Sequence, residues 1–423
     1  MKKIAVFLTF GLMSGLSIHA ANEKIIVIDE GTWQSDNARL TLFEDGKIVS
    51  NQWFRDCNGF KLGDTPTDII NVKDNLIAIS LNTPNMIQLI DAAGKSVGVI
   101  EDIPNVRKLA SDGEFIYATS YAHACTTTEG EKEFTKGFVA KIDPSTLKII
   151  SACEVGYEPE GIVYRDGYLY VGNSGGYSFQ EDHDFESILS VVDAKSMTLK
   201  KNVDTGCKNL YGNISSAGKY LCINAAGDYA SSPASGIILD TEKILTDSAD
   251  AFVVIPNPVT YSTSTPDGLF YVVGSQYSYS TNKNEYTFLT LDPEKIIESA
   301  GKDGVTTTLP GTMEEDLRKM MTPYDLYCNP YTGYLYATDA DNYASAGKLY
   351  QWTPEGRLNG VFTTYINPGH ILAIPTSESG VDEIFDVSAA ESDSQIYDLS
   401  GRKVSALHKG NIYIVNGKKI LVK

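Results

Sequence analysis

Basic residues, histidine and cysteine are all scarce in this chain of 423 residues, and each shortage closes off a class of chemistry. Lys and Arg total 35 against 54 Asp and Glu, a formal charge of -19. A surface of that sign repels phosphate backbones and anionic membranes, so cationic or neutral partners are expected and nucleic acid is not. The histidines past the N-terminal segment (His123, His183, His370, His408) show none of the paired spacings a zinc site uses. The six cysteines, Cys57, Cys125, Cys153, Cys207, Cys222 and Cys328, include no Cys-x-x-Cys pair. Their even number permits bridges after export, but a chain this long needs none, so buried thiols with room for one disulfide are expected.

Long apolar runs are missing too, apart from Ile4 to Ile18. Preceded by Lys2 and Lys3 and followed by the small Ala20, this run has the form of a secretory signal peptide over residues 1–20. It is too short and wrongly flanked for a membrane span. No cysteine lies near the cut, so an acylated anchor is not expected, and the product should be secreted or displayed at the outer surface.

What is present is core-forming material: 42% hydrophobic and 10% aromatic residues argue against disorder. Tyr alone contributes 25 residues against 15 Phe, and Tyr suits half-buried strands and pocket rims because its ring packs while its hydroxyl stays wet.

One short phrase recurs seven times. A loop anchor leads into a strand, a Gly or Asn turn follows, then an aromatic–apolar strand, and later an apolar residue followed by Asp. Pro159-Glu160-Gly161-Ile162 leading to Asp166-Gly167-Tyr168-Leu169-Tyr170-Val171 is a clear copy. Anchors recur at Pro66, Pro104, Pro159, Pro258, Pro323 and Pro368, with Cys207-Lys208-Asn209-Leu210 as the copy without proline. The apolar–Asp signal at Asp91, Asp143, Asp193, Asp240 and Asp292 predicts a capped turn into each outermost strand. A period of roughly 40–50 residues built of short strands predicts a β-propeller, one repeat per blade.

The last anchor, Asn367 to Ile374, supplies a single strand, while the N-terminus supplies three: Lys24 to Asp29, Ala38 to Phe43 and Lys47 to Phe54. One plus three makes a blade, so the fold class is all-β: a seven-bladed propeller over residues 24–375, sealed between its two ends with no open sheet edge. Glu294 to Ala300 and Met313 to Met321 read as helices inserted near an outer strand, with Thr312 as a cap. Residues 376–394 turn to Ser, Asp and Glu, as in a linker, and 395–423 form a small β-rich tail.

Two resemblances follow from these residues. Tyr397-Asp398-Leu399-Ser400-Gly401-Arg402 and Gly410-Asn411-Ile412-Tyr413-Ile414-Val415 resemble the C-terminal sorting domain of the Bacteroidetes type IX secretion system, which implies an export address read by that machinery. Residues 24–375 resemble the YncE-like surface propellers of the same bacteria. The matching stretches include Glu30-Gly31-Thr32-Trp33, Ala118-Thr119-Ser120-Tyr121 and Val155-Gly156-Tyr157-Glu158-Pro159-Glu160-Gly161. Some members of that family capture vitamin B12 and pass it to an outer-membrane transporter. The resemblance therefore implies a bound corrinoid and a transporter partner.

In a propeller, the loop after each blade's second strand and the loop between blades share one rim. Here those loops carry aromatic and amide groups, so the candidate ligand-binding residues are Trp33, Arg107, Tyr121, His123, Asn173, Ser174, Tyr177, Tyr277, Asp339 and Tyr343. Arg107 follows an anchor, where a cation can face the central channel. Gly172-Asn173-Ser174-Gly175-Gly176 matches the G-x-S-x-G pattern of a hydrolase, but Tyr177 to Asp182 does not read as the helix that chemistry needs. The expectation is a non-enzymatic binding protein that captures a small-molecule nutrient such as a corrinoid, with no cofactor or metal required. A propeller lyase or hydrolase, or a protein-interaction scaffold, are the alternatives.

Overall fold

Turn chemistry and alternating burial make each repeat an antiparallel four-stranded sheet, and seven such sheets form the ring. The computed structural model describes residues 24–123, 135–176, 183–278 and 280–374, with the short strands Glu383–Phe385, Ile396–Tyr397, Ile412–Val415 and Lys418–Val422. The expected signal peptide, Tyr177, Cys125 and most of the tail sequence lie outside the described residues.

Blade 1 pairs Pro368–Ile374 with Lys24–Asp29, and then continues through Arg39–Glu44 and Lys47–Ser50. This is the expected closure, one strand from the end of the ring and three from its start. The inner strands of the other blades are Pro66–Lys73, Val106–Ser111, Pro159–Arg165, Ile214–Ala217, Tyr261–Ser264 and Pro323–Cys328, in blades 2 to 7. The Asp signals cap their turns as expected. Asp91 accepts from the amides of Ala93 and Lys95, Asp193 from those of Lys195 and Ser196, and Asp240 from those of Glu242 and Lys243.

Two local readings need correction. The third N-terminal strand stops at Ser50, and Trp53–Asn58 is a helix that buries Trp53 and Phe54 against blades 1 and 2. Gly94 stays a glycine under it, because a Cβ there would sit 2.7 Å from the Trp53 ring. The insertion does hold two short helices, Pro293–Glu298 and Met313–Leu317. Thr312, however, does not cap through a backbone amide; its hydroxyl donates to Asp316, which also accepts from the Trp352 indole.

The buried apolar residues fall into clusters at the interfaces between neighbouring blades. Ile26, Ile28 and Leu40 of blade 1 meet Ile69, Ile77 and Ile79 of blade 2, and Tyr336 and Leu349 of blade 7 meet Ile25 and Phe43 of blade 1. Cohesion therefore runs around the ring, which leaves the axis to polar groups. The five described cysteines, Cys57, Cys153, Cys207, Cys222 and Cys328, are all free thiols. The tail strands form a separate four-stranded sheet in which Glu383–Phe385, from the linker-like stretch, runs parallel to Lys418–Val422. Among the described residues no helix is long and apolar enough to cross a membrane.

Candidate functional site

An inner strand that alternated strictly would point every second side chain at the axis. Five of the seven do not, because their pairing shifts at the same place near the upper rim. The shifts fall between Pro66 and Asp68, Val106 and Leu109, Pro159 and Ile162, Pro323 and Asp325, and in blade 1 opposite Val27 and Asp29. A bulge adds a residue and re-aims its neighbours. The re-aimed residues, Thr67, Arg107, Lys108, Glu160, Tyr324 and His370, all line a cavity of about 250 Å³ on the axis. The inter-blade loops add Tyr211 and Thr260, and Glu30 enters from just past the second strand of blade 1. Glu30 fits only because its neighbour is Gly369, where a Cβ would lie 2.5 Å from its Oε1.

The floor is a polar bar. Lys108 Nζ donates to the Thr67 carbonyl at 2.6 Å and to His370 Nε2 at 2.8 Å, and Asn213 Nδ2 lies 3.4 Å from His370 Nδ1. Burial, then the charges of Lys108 and Arg107, push the His370 pKa well below its usual value, so the ring is neutral and Nε2 accepts. Lys108, Asn213, Asp325 and His370 also line a second axial cavity of about 250 Å³, which includes Ile70, Ile214 and Tyr327 on its walls. The axial channel is thus two chambers divided by one layer of side chains.

In the upper chamber Arg107 binds Glu160 through Nε at 2.9 Å and Nη2 at 2.8 Å, both to Oε1. The Tyr121 hydroxyl donates to the same oxygen, and the guanidinium lies 5.0 Å from the Tyr121 ring centre. Oε2 of Glu160, whose side chain is 1% exposed, has no hydrogen-bond partner. Across the cavity, Glu30 accepts from the Tyr324 hydroxyl at 3.1 Å. Burial raises the pKa of Glu30, against the opposing pull of Lys108, Tyr324 and Arg107. The charge of Glu160, then burial, raises that of Tyr211 to about 12.

Asp68 and Asp325 act as clasps rather than ligand groups. Asp68 accepts from its own neighbour Ile69 and from Leu109 in the next blade, and Asp325 accepts from Leu326. Burial pushes Asp325 up to about 7, and Asp29, buried against Thr41 and Tyr365, up to about 7 as well. Both bind a proton on folding that the unfolded chain releases near pH 3.8. Between those limits the native state holds more protons, so their contribution to stability falls as pH rises from about 4 to 7. The wild-type melting temperature is expected to be higher at pH 5 than at pH 7.5, and Asp29→Asn with Asp325→Asn should shrink that difference, as calorimetry at both pH values would show.

The residues singled out by sequence divide into three groups. Arg107 lines the cavity, and Tyr121 supports it from behind through Glu160. Asn173, Ser174 and Asp339 are buried strand ends that satisfy loop backbone. Asn173 accepts from Gly156 N–H and donates to Ile188, Ser174 donates to the Glu158 carbonyl, and Asp339 accepts from Thr322 and Asp341 N–H. Trp33, Tyr277 and Tyr343 are half exposed on the upper-rim loops, with Tyr343 packed edge-on to Tyr324. His123 sits apart from the cavity, 3.3 Å from the buried Glu158, which also receives His183 at 2.6 Å. Among the described residues no three His, Cys, Asp or Glu are placed to hold a metal ion. Sequence reasoning missed Glu30, Lys108, Glu160, Tyr211, Tyr324 and His370. Four of these six stand one or two residues past the first residue of an inner strand, the position that identified Arg107.

No protein-family model and no curated protein matches the chain. Solved structures do. A quinonprotein alcohol dehydrogenase-like protein from Bacteroides thetaiotaomicron has a TM-score of 0.53 at 10% identity, covering 83% of this chain and 78% of its own. The hydrazine synthase of Kuenenia stuttgartiensis has a TM-score of 0.52 at 16% identity, covering 74% of this chain and 96% of its own. Apo AztD from Citrobacter koseri has a TM-score of 0.46 at 12% identity, covering 84% and 98%. The likeness is one of fold. It agrees with the seven-bladed propeller.

Proposed function

We propose that this chain is a secreted or surface-displayed binding protein that captures a small polar nutrient in the upper axial chamber, without making or breaking a bond. The observation that carries the reading is Glu160 Oε2, a buried acceptor without a partner on the wall of a cavity. An unmet buried acceptor costs about 1–3 kcal/mol, a cost that a ligand donor would remove. A hydrolase reading has less support, since the Ser174 hydroxyl is committed to the Glu158 carbonyl and to the Gly176 amide. Export by the type IX machinery and delivery to an outer-membrane transporter belong to the same proposal, and rest on the sequence resemblance.

A thermal-shift screen of polar metabolites tests the axial site. At least one compound should raise the melting temperature of the wild type and fail to do so for Glu30→Gln. If every hit is retained by that variant, the chamber is not where ligands bind.

A corrinoid is the second reading. It is far larger than a 250 Å³ chamber, and would instead lie flat over the mouth. The exposed rings of Trp33, Tyr211, Tyr229 and Tyr343 on the same rim favour this, because flat apolar faces need aromatic partners. Titration with cobalamin, followed by Trp and Tyr fluorescence, should then show saturable quenching that Trp33→Ala or Tyr211→Ala abolishes. A flat response up to millimolar ligand removes the corrinoid and leaves axial capture standing.

A further inference from the structure

Resting on the axial-capture reading, we infer that the upper chamber receives a small organic ammonium ion, held between the carboxylates of Glu30 and Glu160 and beside the rings of Tyr211, Tyr261 and Tyr324. The two cations near the cavity are already committed. Arg107 gives Nε and Nη2 to Glu160, and Lys108 gives Nζ to Thr67 and His370 on the floor. What the chamber offers a ligand is therefore acceptors, above all the unpartnered Oε2 of Glu160, on a side chain 1% exposed. An ammonium supplies the donors and the charge together.

The charge balance points the same way. Glu30, Glu160 and Asp325 line the chamber, and Asp68 stands just below, against Arg107 and Lys108 alone once His370 is neutral. Burial raises the pKa values of Glu30, Asp68 and Asp325, as expected where carboxylates outnumber the cations available to them. A bound cation would relieve that excess.

The wall supplies the rest. Tyr261 and Tyr324 rings stand 6.5 Å apart at 54°, and Tyr324 meets Tyr343 edge-on at 5.7 Å. Aromatic walls closed by carboxylates recognise alkylammonium groups, through the attraction of a cation for the ring face. The chamber volume of about 250 Å³ lies below the range of about 300–1,000 Å³ typical of drug-sized ligands, so the occupant has few heavy atoms. The net charge of -19 would raise the local concentration of any cation near the mouth.

The test is calorimetric titration of the full-length chain at low ionic strength with choline and ethylammonium, with acetate and glucose as the contrasting probes. One ammonium probe should bind with a millimolar or tighter Kd, and Glu30→Gln should weaken it at least tenfold while retaining a cooperative melt. Glu160→Gln should do the same; if that variant fails to fold, Tyr261→Leu replaces it, with a loss of several-fold. Saturation by acetate or glucose, with neither ammonium bound, overturns the ammonium assignment and leaves the axial site in place. Ammonium binding unchanged in both Glu30→Gln and Tyr261→Leu overturns it as well, since the ion would then sit elsewhere. Binding of no probe at all removes both this assignment and the axial reading.

Discussion

Replacing Glu160 by leucine is expected to destabilise the ring by about 3 kcal/mol, the lower end of the range for breaking a buried ion pair. Three groups lose their partner at once. Arg107 loses the oxygen that takes both Nε and Nη2, and the Tyr121 hydroxyl loses the same acceptor. The guanidinium keeps 17% side-chain exposure, so part of its charge can turn toward water in the cavity, which places the expectation at the lower end. The measurement is the urea midpoint with an unchanged slope, since a changed slope would signal an altered native or unfolded state instead. The triple replacement Glu160→Leu, Arg107→Met, Tyr121→Phe should recover most of the loss, because apolar groups of similar volume remove the unpaired charge along with its partner. A single Glu160→Leu variant that melts with the wild type would show that the pair holds nothing together. The same change removes the proposed ligand acceptor, so binding should be lost in the triple variant even where stability returns.

That separation of stability from binding is the reason the site was harder to see in the sequence than the fold. The fold was legible because its signals are local and repeated. Asp91, Asp193 and Asp240 each precede turns whose amides they cap, and the one-plus-three closure follows from counting strands at the two ends. The site depends instead on bulges. A period-2 reading assigns faces by alternation, and a bulge breaks the alternation where the inner strands meet the axis. Glu160 is visible in the Pro159-Glu160-Gly161 phrase, yet nothing in that phrase says that its carboxylate faces Arg107 across a blade boundary. His370 and Lys108 come together from residues 262 apart.

The loop residues misled for a related reason. Asn173, Ser174 and Asp339 stand at equivalent ends of second strands, which suggested a shared ligand face. Their shared duty is to satisfy amides of the loops packed beside them, an obligation that buried loop backbone imposes on nearby side chains. Glu30 occupies the neighbouring position in blade 1 and escapes that duty, because Gly369 leaves room for it to reach the axis.

Truncation at the closing strand is expected to have the largest effect on stability. A chain ending at Asn367 loses Pro368–Ile374, the inner strand of blade 1, and with it the antiparallel partner of Lys24–Asp29. Ile371, Leu372 and Ile374 are each less than a tenth exposed. They belong to the two clusters that join blade 1 to blades 2 and 7. Three large aliphatics at about 1.5–3 kcal/mol apiece approach the whole margin of about 5–15 kcal/mol on which a fold stands. The exposed edge of Lys24–Asp29 would add a template for aggregation. Latches that survive, such as the Glu30 amide on the Asn367 carbonyl at 2.8 Å and the Tyr365 amide on Asp29 at 2.9 Å, are too few to replace a strand. The shortened chain should therefore aggregate or melt without a cooperative transition. A chain ending at Thr376 keeps the strand and should melt within about 3 °C of full length, because the change falls outside the packed ring. Circular dichroism melts of the two truncations decide the matter. A cooperative, near-native melt from the chain ending at Asn367 would mean that seven blades hold without being joined, and that the axial chamber is not built by closure.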